Sequence, residues 1–232
     1  NERMFRFVFR MMSKGNMVLP RGGIAAAPNQ LAQRLGEDRI HLNSDVSIID
    51  GTTLSINGKT KSFDAIVRAF NPNQVNEKRH VWTLHFDAEQ SPLNSQHVLL
   101  NGDVKINDGL IAHLAVPSDV QPEYAPEGRS LVTITVVGER ADSLGFTSAL
   151  EVEDAVRKEV ELWFPDTSLN WRLLAVQHIE HALPEVGSER PLLATPQIQG
   201  FECGDHMLHG SVEGALLSAE AVASAVVVHL RV

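Results

Sequence analysis

The chain has 232 residues, of which 43% are hydrophobic and 21% charged, with a formal net charge of -9. That length buries a core without cross-links, as one large domain or two small ones, and the acidic balance disfavours nucleic acid as a partner. The single cysteine, Cys203, excludes an internal disulfide and fits a reducing compartment, and no apolar run is expected to reach the length of a bilayer span.

The first segment, "NERMFRFVFRMM", is apolar and basic, and its pattern predicts a helix over Arg3 to Met12 that Gly15 breaks. Arg6 and Arg10 interrupt the apolar stretch and no small-residue cleavage site follows promptly, which argues against a secretory signal. The sequence opens on Asn1 rather than methionine, so the expectation is that it starts partway into a longer one. Next, "LPRGGIAAAPNQLAQRLG" reads as a Gly-Gly turn and a helix from about Ala27 to Leu35, with Pro28 in its first turn and Gly36 as its stop. Between residues 40 and 69 the period changes to that of strands, and Asp50-Gly51 and Asn57-Gly58 mark the turns of a β-meander.

A second β-rich region follows. "HVWTLHFDA", "QHVLLNG", "GLIAHLAV" and "RSLVTITVVG" read as strands, and "VPSDVQPEYAPEG" reads as a loop. Ser148 to Phe164 reads as a helix with Ala149, Val152, Val156, Val160 and Trp163 on one face, and the acidic residues from Glu151 to Glu161 form its wet face. A strand covers roughly Trp171 to His181, and "LPEVGSERPLLATPQ" is a proline-broken loop. Trp82, Phe86, Trp163 and Trp171 stand at spacings that suit core packing.

The chain closes with "FECGDHMLHGSVEGALLSAEAVASAV", a short strand, a Gly-Asp turn, a Gly-Ser turn and a long helix. A helix entered in this way presents free backbone N–H groups and the positive end of its dipole, a seat for an anion or an electron-rich ring. The plain reading of the same residues is a strand, a loop and a helix packed on a core. Cys203, Asp205, His206 and His209 are ligand types for zinc or iron, but spacing in a loop does not set metal geometry. "GSVEG" lacks the central serine of a nucleophile elbow, which counts against Ser211 as a nucleophile. His178 and His181, three apart on a strand, point to opposite faces and do not share a ligand.

Taken together, "VLPRGGIAAAPNQLAQRL", "IHLNSDVSII", "FDAIVRAFNP" and "GDHMLHGSVEGALLSAEAVASAV" resemble the second half of the FAD-dependent amine oxidase, phytoene desaturase and protoporphyrinogen oxidase superfamily, in order and over essentially the whole chain. The loop "PSDVQPEYAPEG" and the later "ALPEV" look most like the carotenoid-desaturase-like branch. The resemblance implies a mixed α+β and α/β fold: the C-terminal part of a two-domain FAD oxidoreductase, with an antiparallel substrate-domain sheet, helices and remnants of the FAD-binding domain. On that mapping residues 1–16 and 72–195 belong to the substrate part, and residues 17–71 and 196–232 to the FAD part. It also implies that Gly210, Ser211 and Val212 seat the flavin ring through their backbone. Asp205, after Gly204, lies near the ribityl and phosphate chain, Val46 touches the adenine side, and Gly22 and Gly23 let backbone approach the flavin closely. No catalytic side chain and no metal ligand is implied.

Members of that superfamily begin with a strand, a G-x-G-x-x-G turn and a helix that hold the pyrophosphate; that spacing does not occur in these residues. The expectation is therefore FAD in the intact protein and none bound to this chain alone, with an N-terminal nucleotide-binding segment of the same protein as its partner. The intact protein would be a cytoplasmic flavoprotein oxidoreductase, or one peripheral to a membrane, that moves a hydride from a small apolar or amine substrate to flavin. The alternative is a non-enzymatic binding or assembly module. Without the nucleotide-binding sheet an apolar face including Ile48, Ile66, Leu216 and Val222 is expected to lie open and to pair two copies as a homodimer.

Overall fold

A computed structural model describes residue 6, residues 9–10, residue 13 and residues 18–70, 79–102, 109–182 and 200–231. In chain order its main elements are α1 (Ala26–Leu35), β1 (Val46–Ile48), β2 (Thr53–Ile56), β3 (Lys59–Ser62), β4 (Val67–Arg68), β5 (Val81–Ala88), β6 (Leu99–Leu100) and β7 (Ile111–Ala115). Then come α2 (Pro117–Val120), β8 (Ser130–Val137), α3 (Gly138–Ser143), α4 (Ala149–Trp163), β9 (Arg172–Ile179), β10 (Phe201–Glu202) and α5 (Val212–His229). The mixed fold, antiparallel sheets with helices, is the class expected from sequence. The first helix, Arg3 to Met12, and the loop of residues 183–197 lie largely or wholly outside the described residues.

The chain divides into two compact units, one of Asn1–Arg34 with Arg79–Ala182 and one of Leu35–Lys78 with Leu183–Val232. In the first, five antiparallel strands pair in the order β6-β7-β8-β5-β9. Alternate residues of β5 (Trp82, Leu84, Phe86, Ala88) and of β8 (Val132, Ile134, Val136) are buried, as a period of two requires of a sheet with one covered face. They form one core with Val152, Val156 and Val160 of α4, whose spacing of four lines up one helix face. Trp171 and the partly buried Trp163 join the same cluster. Ser148 starts α4 by accepting the N–H of Glu151, while the Glu151 carboxylate accepts the N–H of Ser148, a reciprocal cap.

Three local differences from the sequence reading have physical causes. The stretch expected to be a loop after β7 coils into α2, with Pro117 preset in its first turn, and a 3-10 turn at Pro122–Tyr124. β8 runs directly into α3, which the sequence reading missed; Gly138 lies so close to the His80 ring that a Cβ there would stand 2.3 Å from it. Glu159 is not simply wet: its carboxylate accepts the N–H groups of Leu110 at 2.7 Å and Ile111 at 3.1 Å, where β7 begins.

In the second unit, β1-β2-β3 form an antiparallel meander, and β4 and β10 form a parallel pair. Asn57 and Gly58 both take positive φ, 50° and 76°, as a two-residue hairpin turn demands. A small core of Phe201, Cys203 and Val222, with Ala65, Ala225 and Val226 against it, joins the parallel pair to α5.

Two expectations about surface are corrected here. Ile66 is 6% exposed and Val222 is 2% exposed, so neither belongs to an open apolar face: Val222 closes the core formed with Phe201 and Cys203. Leu216 does lie exposed on α5. In addition α5 is, by length and composition, long and apolar enough to cross a membrane, contrary to the sequence reading. Its alanines and valines supply that character, while Gly214, Ser218 and Val222, four apart, are buried on one side of it.

Candidate functional site

β10 pairs with β4 in parallel, Phe201 opposite Val67 and Glu202 opposite Arg68, and both strands end at the same edge. The crevice beyond the carboxyl ends of parallel strands is where open α/β sheets take ligands. Here that edge carries the turn Cys203 to Leu208. Gly204 sits at φ 145°, and a Cβ on it would stand 2.6 Å from the His206 ring, so conformation and space both require glycine. A 3-10 turn, Asp205–Met207, follows, closed by Met207 N–H to the Gly204 carbonyl at 3.2 Å and Leu208 N–H to the Asp205 carbonyl at 3.1 Å. The Gly204 N–H donates to the hydroxyl of Ser218, which is fully buried on α5.

Ser211 is the N-cap of α5. Its hydroxyl accepts the Gly214 N–H at 3.0 Å and lies 2.8 Å from His209 Nδ1. The hydroxyl is thus occupied in starting the helix. The N–H groups of Val212 and Glu213 meet no acceptor among the described residues, and Val212 is exposed. The helix start is therefore a pair of aimed donors at the positive end of an 18-residue helix.

A buried chain of polar groups supports the turn. Arg68 Nη2 donates to Glu202 Oε2 at 2.6 Å, and His206 Nε2 donates to Glu202 Oε1 at 2.9 Å. All three side chains are largely withdrawn from water: 16% of Arg68, 14% of Glu202 and 6% of His206 remain exposed. Burial alone would raise the Glu202 pKa, but the hydrogen bonds from His206 and Arg68 outweigh it and hold the carboxyl below the usual range. Burial, helped by the Glu202 charge, pushes the Cys203 thiol up.

Of the residues singled out from sequence, Gly204, Asp205, Gly210, Ser211 and Val212 lie together in this one stretch. Val46 is on β1 of the same unit, opposite Ile56 and half exposed. Gly22 and Gly23 fall in the other unit, both at positive φ, with no atom within 4 Å of where a Cβ would sit. Their neighbours are anchored there, since Tyr124 OH donates to the Pro20 carbonyl and Arg21 pairs with Glu123. The sequence reading did not single out Arg68 or Glu202. The signal was two charged residues on short strands otherwise made of apolar residues.

In the first unit the face of the sheet opposite the core carries a second set of chemistry. Thr83 and His85 of β5 lie beside Thr135 and Thr133 of β8, and His113 of β7 is opposite Thr135. His85 Nδ1 is 3.1 Å from Thr133 Oγ1, and burial lowers the His113 pKa. Asp87 ends this face, paired with Arg129 and Arg172, whose hydrogen bonds hold its carboxyl low. On the helix side His178 stacks on Trp82 at 3.9 Å, and His80 bridges His178 Nε2 to Asp142. Among the described residues no group of His, Cys, Asp or Glu is arranged to hold a metal ion.

A flavin fits the donor set at the start of α5. Two unengaged N–H groups suit an electron-rich ring edge, a glycine turn admits close approach, and Asp205, 39% exposed, offers a carboxylate to hydroxyl groups.

The sequence matches the family described as flavin containing amine oxidoreductase over residues 2–227. No curated protein matches it. Among solved structures, a protein named as a protoporphyrinogen oxidase from Exiguobacterium sp. 255-15 is similar with TM-score 0.69 and 15% identity, covering 90% of this chain and 51% of that one. Cyclohexylamine oxidase from Brevibacterium oxydans IH-35A gives TM-score 0.64 and 14% identity, over 90% of this chain and 53% of that one. An oxidoreductase from Methanosarcina mazei gives 0.55 and 16%, over 78% and 48%. At these identities the likeness is one of fold, and the chain spans about half the length of the structures it matches.

Proposed function

The chain belongs to the flavin containing amine oxidoreductase family, and from that membership we infer that it supplies the flavin-ring seat and the substrate surface of an FAD-dependent oxidoreductase. When bound, the flavin supplies the acceptor for a hydride taken from a C–H bond of the substrate. The observation that carries the reading is the pair of unengaged N–H groups, Val212 and Glu213, at the head of α5 beside the Gly204–Asp205 turn.

These residues have separable tasks. The Val212 and Glu213 N–H groups and the dipole of α5 would hold the electron-rich edge of the ring and favour negative charge there. Asp205 accepts hydrogen bonds from the polyol portion of the cofactor. The substrate lies against the open face of the five-stranded sheet, over Thr83, His85, His113 and Thr133, because the other face is filled by the core. That face holds hydroxyls and imidazoles in its middle, and its carboxylate, Asp87, is already paired. It therefore suits a small apolar molecule with one amine rather than a diamine. A pyrophosphate turn of the G-x-G-x-x-G kind is to come from a nucleotide-binding segment of the same protein.

The test is the visible absorption spectrum of the protein purified with that segment, and of this chain alone. A yellow protein with the segment and a colourless chain without it is the expected result. A protein that stays colourless with the segment present and FAD added supports instead a binding or assembly module built on the same fold.

A further inference from the structure

The Arg68–Glu202–His206 chain is buried, which is costly for charged groups unless each is paired. Its geometry shows what it holds. Glu202 is the last residue of β10 and uses both carboxylate oxygens, one toward Arg68 across the parallel pair and one toward His206 four residues on. Since a carboxylate only accepts, Nε2 of His206 carries the proton in this contact. The ring it fixes lies against Gly204, at the distance where a Cβ would collide. The Cys203 N–H also donates to the Arg68 carbonyl at 2.9 Å, so the backbone entering the turn is tied to the same residue. The turn between the two anchors, Gly204–Asp205, has its Asp205 side chain turned partly to solvent.

We propose that Arg68, Glu202 and His206 are positioning residues for the cofactor: they clamp the Gly204–Asp205 turn at the ends of β4 and β10 in the one conformation that presents Asp205 to the hydroxyl-bearing chain of a flavin nucleotide. The clamp rests on the reading of this edge as the flavin seat, but it makes a claim of its own, that the turn is held by the ion chain and not by the apolar core beneath it. A site of the right residues held too loosely binds poorly, so the clamp acts on affinity.

The experiment uses the protein with its nucleotide-binding segment, freed of flavin and titrated with FAD by fluorescence quenching. The variants are Asp205→Asn, the double change Arg68→Leu with Glu202→Leu, His206→Leu and His206→Gln. Amide exchange at Met207 and Leu208 is read in the flavin-free protein. Leucines of similar volume in place of a buried ion pair tend to leave stability near neutral, so the double variant is expected to fold. It and His206→Leu should each bind FAD about tenfold more weakly or worse and exchange the two amides faster. His206→Gln, which keeps a side-chain donor for Glu202, should stay within about twofold of the parent. FAD affinity unchanged in the double variant and in His206→Leu, while Asp205→Asn loses it, overturns the clamp. If the double variant does not fold, the leucine and glutamine variants of His206 decide by the same criterion. If Asp205→Asn also keeps full affinity, FAD affinity does not report on the turn; amide exchange then decides the clamp, and unaltered exchange in the leucine variants overturns it.

Discussion

The N–H of Gly204 donates to the hydroxyl of Ser218 at 3.2 Å, and this bond is where the ligand-side turn meets the buried face of α5. Ser218 is fully buried, and the sequence places a small residue there between Gly214 and Val222 on the same helix face. Ser218→Ala should therefore lower stability by about 1 kcal/mol, because it leaves the Gly204 N–H without its acceptor. Ser218→Leu should cost more, since added methylenes overpack the contact. Urea denaturation of the two variants checks both. Equal loss in both would mean that the hydrogen bond, not volume, sets the site, and a neutral Ser218→Ala beside a costly Ser218→Leu would mean the reverse.

The head of α5 separates side-chain from backbone chemistry. Ser211→Ala removes an N-cap and should cost about 1 kcal/mol of stability with little effect on flavin content. Val212→Pro is sterically acceptable in the first turn, but it deletes one of the two donors assigned to the ring. Flavin content and reduction rate should fall in that variant at an unchanged melting temperature. A bulky residue at Gly210 should also reduce flavin content. Full flavin in Val212→Pro together with loss in Ser211→Ala would hand the role to the serine hydroxyl.

Glu151 gives a pH dependence with a definite sign. Its carboxylate accepts from the Ser148 hydroxyl and from the N–H groups of Thr147 and Ser148, and these hold its pKa below the ordinary carboxylate value. The folded pKa is lower than the unfolded one, so its contribution is fully present above the unfolded value of about 4.3 and is lost as pH falls through the folded value. Glu151→Gln should be less stable than the parent at pH 7, and the gap should close in acid. A gap that stays constant down to pH 3 would remove the carboxylate from the account.

How much of this was legible in sequence differs by element. The helix from Ala149 to Trp163 was legible because its valines repeat every four residues and Ser148 stands before Glu151 at capping spacing. The meander was legible through Asn57-Gly58. α3 was not, because "GERADS" has no apolar period; it forms since Gly138 can approach His80 and Ala141 reaches the core. The Gly204 turn and the Ser211 cap of the candidate site were legible, since a φ of 145° calls for glycine and a helix start for a capping hydroxyl. The ion chain behind them was hidden, since Arg68 and Glu202 lie 134 residues apart and meet only through the parallel register of β4 and β10. The openness of Ile66 and Val222 was misjudged for a related reason: apolar character does not say whether a side chain is covered, since Leu216 on the same helix as Val222 is exposed, and only the tertiary contact decides.

His113 tests the open sheet face. It stands opposite Thr135, near the His85–Thr133 pair, and burial lowers its pKa because the imidazolium is poorly solvated there. Above the unfolded value of about 6.5 the ring is neutral in both folded and unfolded chains and costs nothing. As pH drops below that value the unfolded chain takes the proton first, so stability declines until pH passes the folded pKa. His113→Gln should remove that part of the decline and leave the stability at pH 8 nearly unchanged. The ring should also titrate below the ordinary histidine value by NMR. A neutral ring matters to the proposed chemistry, because His113 then adds no positive charge to the face against an amine substrate. If His113 titrates at or above the ordinary value, the face is well hydrated and carries a cation in mild acid, and the assignment of an amine to it fails.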